Sequence, residues 1–111
     1  MIHTAAKLAE ERTAKRLGLK LTVASGILSG DPADAKDEVV RLEIKTTVGD
    51  SIRIEREWLL KILEEAMTQE QVPVLSMQFI NENGEPRPGL AWVAVPEHYW
   101  TTLRRALVEH F

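Results

Sequence analysis

Apolar and charged positions alternate with a period of two through Val39-Val-Arg-Leu-Glu-Ile-Lys-Thr46. Val40, Leu42 and Ile44 fall on one face, and Arg41, Glu43 and Lys45 on the other, which predicts a half-buried β-strand over 39–47. The flanking segments carry other periods. Residues 3–17 are rich in Ala, Glu, Lys and Arg and predict a helix with Ala5, Ala6, Ala9, Thr13 and Leu17 along its apolar side. Gly18 is placed to stop it. Residues 19–24 alternate weakly, as a strand would. Ser25 to Asp37 is loop-like, with Gly26, Gly30 and Pro32, and part of it is able to pair ahead of the strand at 39–47. Val48-Gly49-Asp50 is a turn signal. The clearest helical period runs from Glu55 to Gln69, with Trp58, Leu59, Ile62, Leu63, Ala66 and Met67 on one face, and Pro73 follows it. Val74–Ile80 and Leu90–Val95 read as strands around an Asn81–Gly89 connection that includes Asn83-Gly84. A last helix opens near Pro96 with Trp100, Leu103, Ala106, Leu107 and Phe111 on one stripe. The resulting order, α-β-β-β-α-β-β-α, predicts an α/β fold with no internal repeat.

Length and composition bound this picture. A chain of 111 residues is a single domain spanning 1–111, with a core of modest size. Apolar content of 44% and charged content of 28% are ordinary for a globular protein. The absence of cysteine excludes disulfides and zinc–thiolate sites. His3, His98 and His110 lie near the ends without metal-ligand spacing. No apolar run approaches the ~20 residues of a membrane span, and the first residues lack a signal-peptide core. A cytoplasmic location is expected. The net charge of −3 argues against avid, non-specific nucleic-acid binding. The basic residues are nevertheless clustered, with Lys7, Arg12, Lys15, Arg16 and Lys20 in the first twenty. Such a cluster suits either a solvated helix face or phosphate contact by Lys15 and Arg16.

The strand at 39–47 also carries candidate chemistry. A carboxylate and an ammonium two residues apart on one strand face are able to hold a metal ion and an activated water side by side. Magnesium takes one or two carboxylates and keeps several waters, and Glu43 and Asp34 would supply them. Lys45 would orient the attacking water or stabilise negative charge in the transition state. Ile44 between them points into the core. If 34 and 43 belong to a hairpin, one register parity puts Asp34 opposite Arg41 or Glu43, and the other puts Asp31 there. Two facing carboxylates repel, so such a pair makes sense around a cation. Glu10 borders the apolar stripe of the first helix and is able to reach a shared pocket, whereas Glu11 projects to the solvent side. Asp37 and Glu38 read as turn residues.

The same stretches carry a resemblance. Glu10-Glu-Arg-Thr-Ala-Lys-Arg-Leu-Gly18, Thr22-Val-Ala-Ser-Gly26, Gly30-Asp-Pro-Ala-Asp34 and Leu42-Glu-Ile-Lys-Thr-Thr47 come first in order. Trp58-Leu59, Lys61-Ile62, Glu65-Ala66, Pro73-Val-Leu75 and Trp92-Val93 follow. Together they resemble the PD-(D/E)XK nuclease superfamily, and within it phage- and archaeal-type Holliday junction resolvases. The resemblance implies a restriction-endonuclease-like core, a mixed central sheet flanked by helices, and a homodimer with two sites across a four-way junction. It implies Glu10 as the first-helix acid, Asp34 and Glu43 as metal-binding acids, Lys45 as the catalytic lysine, and Ser25 near the scissile phosphate. It departs from the family pattern after the aspartate, where Ala35 and Lys36 stand in place of apolar strand residues.

The expected activity is a magnesium-dependent endodeoxyribonuclease, with manganese able to substitute, acting on branched DNA as a junction resolvase; a phage-encoded enzyme would work in the bacterial host cytoplasm. One alternative is a nuclease of this fold acting on flaps, single strands or duplex ends. Another is a non-catalytic DNA-binding or assembly module. Trp58, Trp92 and Trp100 are able to stack on bases, but the helical positions of Trp58 and Trp100 favour core or dimer packing. Met67 and Met77 are expected in the core, and His98 and His110 on the surface.

Overall fold

The computed structural model describes residues 4–22 and 33–111. The elements are α1 (Ala5–Leu17), β1 (Lys20–Leu21), β2 (Ala35–Lys36), β3 (Val40–Thr47), α2 (Arg56–Thr68), β4 (Val72–Ile80), β5 (Pro86–Ala94), a 3-10 turn (Glu97–Tyr99) and α3 (Trp100–His110). The order matches the expected α-β-β-β-α-β-β-α. The five strands form one mixed sheet in sequential order, β1-β2-β3-β4-β5. β3 and β4 run parallel and are joined through α2; the other neighbours are antiparallel.

Local chemistry sets the ends of α1. Thr4 Oγ1 accepts from Lys7 N at 3.1 Å, satisfying one of the donors that a helix start leaves over. Gly18 adopts φ 71° and closes the helix, with Leu19 N bonding Ala14 O and Gly18 N bonding Lys15 O. Ala9, Thr13 and Ala14 are the buried positions of this helix. The buried stripe is therefore rotated from the predicted one: Ala6 and Leu17 are exposed. A buried polar network explains the rotation. The Gln78 amide donates to Thr13 Oγ1 at 2.6 Å and to Ser76 Oγ at 3.0 Å, and Arg16 donates to Thr13 Oγ1 and Gln78 Oε1.

The core lies between α1 and the sheet. Ala14, Ala35, Leu42 and Ile44 form it, with Leu19, Leu21 and Val74 packed against it. On the opposite sheet face α2 lies against β4. Ala66 is the buried residue of α2, while Leu59, Leu60 and Met67 (69% exposed) face outward, so Met67 is not a core residue as expected. Between α2, β4 and the end of β5 runs an apolar groove of ≈ 360 Å³ lined by Leu59, Ile62, Leu63, Pro73 and Leu75 among others.

Three prolines lie inside strands, Pro73 in β4 and Pro86 and Pro88 in β5. β5 begins at Pro86 rather than Leu90, and Pro86 pairs with Ile80 beyond a bulge. β5 is an edge strand, where a missing N–H is tolerated. Pro73 is the second residue of β4 rather than its forerunner. Val72 N bonds toward β3, so position 73 faces the β5 side, where pairing starts only at Leu75.

The β4–β5 turn docks on α1 at Gly84. Its φ is 75°, and a Cβ there would lie 2.7 Å from Leu8 Cβ and 2.8 Å from Ala5 O and Ala9 N. Gly18 has the same handedness but nothing within 4 Å. Gly18→Ala is expected to cost about 1 kcal/mol from its conformation alone, and Gly84→Ala ~3 kcal/mol or more because overpacking adds to it. Urea denaturation of both variants checks this; equal losses would contradict the docking of the turn on α1.

Candidate active site

β3 sorts its side chains by the pleat. Ile44 is buried against α1, and Glu43 and Lys45 project from the other face. Lys45 Nζ stands 3.4 Å from Glu43 Oε1. It also lies 4.2 Å from the centroid of the Trp58 ring, on the first turns of α2. Arg41, on the same face, is buried and donates to Gln71 Oε1 at 3.1 Å, which ties the start of β3 to the segment leaving α2.

The β2–β3 register pairs Ala35 with Leu42 and Lys36 with Arg41. Continued by one step, it sets Asp34 opposite Glu43, one of the two placements that the odd parity allowed. Asp34 N bonds Leu42 O at 3.0 Å, and Asp34 Oδ2 accepts from Ile44 N at 2.7 Å. The carboxylate thus takes over the ladder where the β2 backbone ends. It is held by the peptide N–H that lies between Glu43 and Lys45. On its other side Thr22 N bonds Asp34 O at 3.1 Å, and the Thr22 hydroxyl donates to Ala33 O.

Glu10 comes from α1. Lys7 Nζ lies 3.8 Å from Glu10 Oε2, a half-exposed pair worth at most about 1 kcal/mol. The Glu10 carboxyl is raised above its ordinary value by burial and then by the negative charge of Asp34. Glu43 is raised for the same two reasons, with the Lys45 ammonium pulling it partly back. Asp34 is raised by burial, against the pull of the Ile44 N–H and of Lys45, Lys7 and Lys61. Burial disfavours all three carboxyls as anions, and the charge of Asp34 adds to this at Glu10 and Glu43, which marks a place suited to an added positive charge.

The donor set fits a hard cation. Asp34 and Glu43 offer carboxylate oxygens from facing strand positions, and magnesium needs one or two such ligands beside its waters. Among the described residues there is no group of three or more His, Cys, Asp or Glu side chains set to hold a metal ion. Among the described residues, Asp34 and Glu43 are the carboxylates on facing strand positions that would hold a metal, completed by waters.

Lys15 and Arg16 lie five and six positions after Glu10 on α1, about 8 Å further along its axis. Arg16 is engaged with Thr13 and Gln78. Ser25 and Asp31 lie outside the described residues. Asp37 is a turn residue as read: its Oδ1 accepts from Val39 N and Val40 N, each at 2.8 Å, which lowers its pKa.

Three neighbours were not among the predicted site residues. Trp58, Lys61 and Lys7 act on the acids or the lysine through the cation–π contact and through charge. Trp58 and Lys61 are one turn apart on α2, a spacing visible in the sequence, but nothing there said which strand their side of the helix would meet. No family model, curated protein or solved structure matches the chain. No helix among the described residues is long and apolar enough to cross a membrane.

The raised carboxyls have a consequence for stability. A group whose folded pKa exceeds its unfolded one contributes stability that is full below the unfolded pKa and lost as pH rises through the folded pKa. Without divalent metal, the stability difference between wild type and Glu43→Gln should therefore move against wild type as pH rises from about 4 to 7. Thermal melts in EDTA check this: the Gln variant should melt no lower than wild type at pH 7. A lower midpoint would show that Glu43 is a stabilising anion instead.

Proposed function

We propose that the chain is a magnesium-dependent DNA endonuclease with a restriction-endonuclease-like core, acting on four-way junctions as a homodimer. The observation that carries the reading is the Asp34 carboxylate seated on Ile44 N at 2.7 Å, opposite Glu43 and beside Lys45. This is the acid, Glu-x-Lys arrangement by which the sequence resembles the PD-(D/E)XK nucleases. Asp34 and Glu43 would hold the cation, with manganese able to replace magnesium. A cation so held supplies Lewis-acid stabilisation of charge developing on phosphorus and acidifies a neighbouring water.

The side chains of the chain do the rest. Lys45 holds its ammonium beside Glu43, where it orients the attacking water and offsets negative charge on the phosphate. In-line attack leaves a 5′-phosphate and a 3′-hydroxyl, as the resemblance implies. Glu10 adds a third negative charge from α1 that strengthens the attraction for a divalent ion. Lys15, Arg16 and Ser25 are the proposed phosphate contacts.

The dimer is supported by α3. Every residue of this helix is exposed, including Trp100 at 56% and Leu107 at 50%, and the terminal Phe111 is 95% exposed. A lone helix of this length is marginal in water, so an uncovered apolar stripe calls for a partner. A two-fold pairing would also give the two symmetric cuts that resolving a junction requires.

Glu43→Ala and Lys45→Ala are expected to lower junction cleavage in Mg²⁺ by about 10²-fold or more while leaving junction binding intact. The assay compares a labelled four-way junction with flap, single-stranded and linear DNA. Full activity of either variant contradicts the site; equal cutting of linear DNA favours a general nuclease; binding without cutting favours the non-catalytic module. Sedimentation of Leu103→Glu combined with Leu107→Glu should show a monomer where wild type is a dimer. A monomeric wild type would remove the dimer.

A further inference from the structure

We propose that Trp58 is the positioning residue of this site: the face of its ring holds the Lys45 ammonium beside Glu43. The inference rests on the nuclease reading above and gives α2 a part in it.

The geometry has two sides. Lys45 Nζ is 3.4 Å from Glu43 Oε1 and 4.2 Å from the Trp58 ring centroid, well inside the ~6 Å within which an aromatic face attracts an ammonium group. Trp58 is half-buried and the Lys45 side chain is 28% exposed, so water screens the contact only in part. Tryptophan is also the aromatic that binds cations best.

The two anchors respond differently to a divalent ion. A cation on Glu43 repels the Lys45 ammonium and competes for the same carboxylate oxygens. The ion pair therefore weakens in the state in which the lysine must be in place. The ring is neutral, takes no metal, and neither gives nor accepts a proton with Lys45. It keeps its hold when the carboxylate's hold fails. A lysine on a strand has four rotatable side-chain bonds to restrain, and a displacement of about 1 Å at a reacting group is able to cost on the order of 10²-fold in rate.

The two ends of α2 set where the ring stands. Trp58 N bonds Glu55 O at 3.1 Å in the first turn. Two turns on, Ala66 is fully buried, and just past the helix the Gln71 side chain accepts from Arg41 at 3.1 Å and donates to Asp37 O at 2.6 Å, which ties that end to the start of β3.

The test compares Trp58→Leu and Trp58→Phe in single-turnover junction cleavage, with junction binding measured in EDTA. Trp58→Leu should lose about tenfold in cleavage rate, the size of a partly desolvated cation–π contact, and keep its binding. Trp58→Phe, which retains an aromatic face, should recover most of that rate. Equal rates in Trp58→Leu and wild type, or equal losses in the Leu and Phe variants, overturn the proposal. A second measurement needs no activity. The Lys45 ε-methylene protons should resonate upfield in the wild-type protein, shielded by the ring, and should stay upfield when Mg²⁺ is added. An unshielded Lys45, with or without Mg²⁺, overturns the proposal even if the protein cuts DNA. A shielded Lys45 in a protein that cuts no DNA overturns the nuclease reading and, with it, a catalytic purpose for the contact.

Discussion

The bond from Ile44 N to Asp34 Oδ2, at 2.7 Å, is the constraint around which the site is organised. It replaces a missing strand carbonyl with a carboxylate, so the chain gains a ladder bond and an acid at the same position. The donor is the N–H of Ile44, the residue between Glu43 and Lys45, so the acid cannot sit far from either. The same bond fixes the β2 register, because Asp34 N reaches back to Leu42 O on the same partner strand. A shift of one residue would break both bonds and turn Asp34 to the core face. Charge is offset only in part: the half-buried carboxyls of Asp34, of Glu43 on β3 and of Glu10 on α1 are all raised, against the pull of Lys7, Lys45 and Lys61. A fold that relied on these groups for stability would have neutralised them. The charge of Asp34 raises both Glu10 and Glu43, and a bound cation would relieve this.

The two helices hold this arrangement from opposite faces of the sheet. α1 is attached by a buried polar network in which Gln78, at 0% exposure, bonds Thr13, and Thr13 in turn donates to Ala9 O at 2.6 Å. No buried side-chain nitrogen or oxygen among the described residues lacks a partner. Such a network is worth most when every member is satisfied, and here it fixes the rotation of the helix that carries Glu10. The Gly84 turn presses on the N-terminal half of the same helix. On the other face α2 is held less tightly. Its large apolar side chains line a groove rather than a filled core, which leaves Trp58 and Lys61 as its contribution to the site.

Much of this was legible from spacing alone. The alternation at 39–47 located β3 and assigned Glu43 and Lys45 to one face, because a pleat admits no other arrangement. An odd pairing sum puts Asp34 on the polar face, and the observed pairing of Ala35 with Leu42 has that parity. Gly18, Asn83-Gly84 and the helical period of 55–69 marked turns and helices by steric rules that act locally. The buried stripe of α1 was legible in part: Ala9 and Thr13 lie on it as the sequence predicts, but Ala14 is buried where Ala6 and Leu17 were expected, on the side that Thr13 turns to the distant Gln78. Met67, expected in the core, is exposed for a related reason. A helical period reveals an apolar face but not how much of that face a narrow sheet covers. The cation–π contact was hidden as well, since Lys45 and Trp58 come together only through the parallel β3–α2–β4 crossover.

The central claim is that one cation is held by the Asp34–Glu43 pair. The most direct measurement is an NMR titration of the ¹⁵N-labelled protein with Mn²⁺, in which paramagnetic broadening reports distance from the ion. The account predicts that the Asp34 and Ile44 amides broaden first, that Mg²⁺ competes the effect away, and that Asp34→Asn removes it. Broadening centred elsewhere on the molecule, or none at millimolar Mn²⁺, would contradict it.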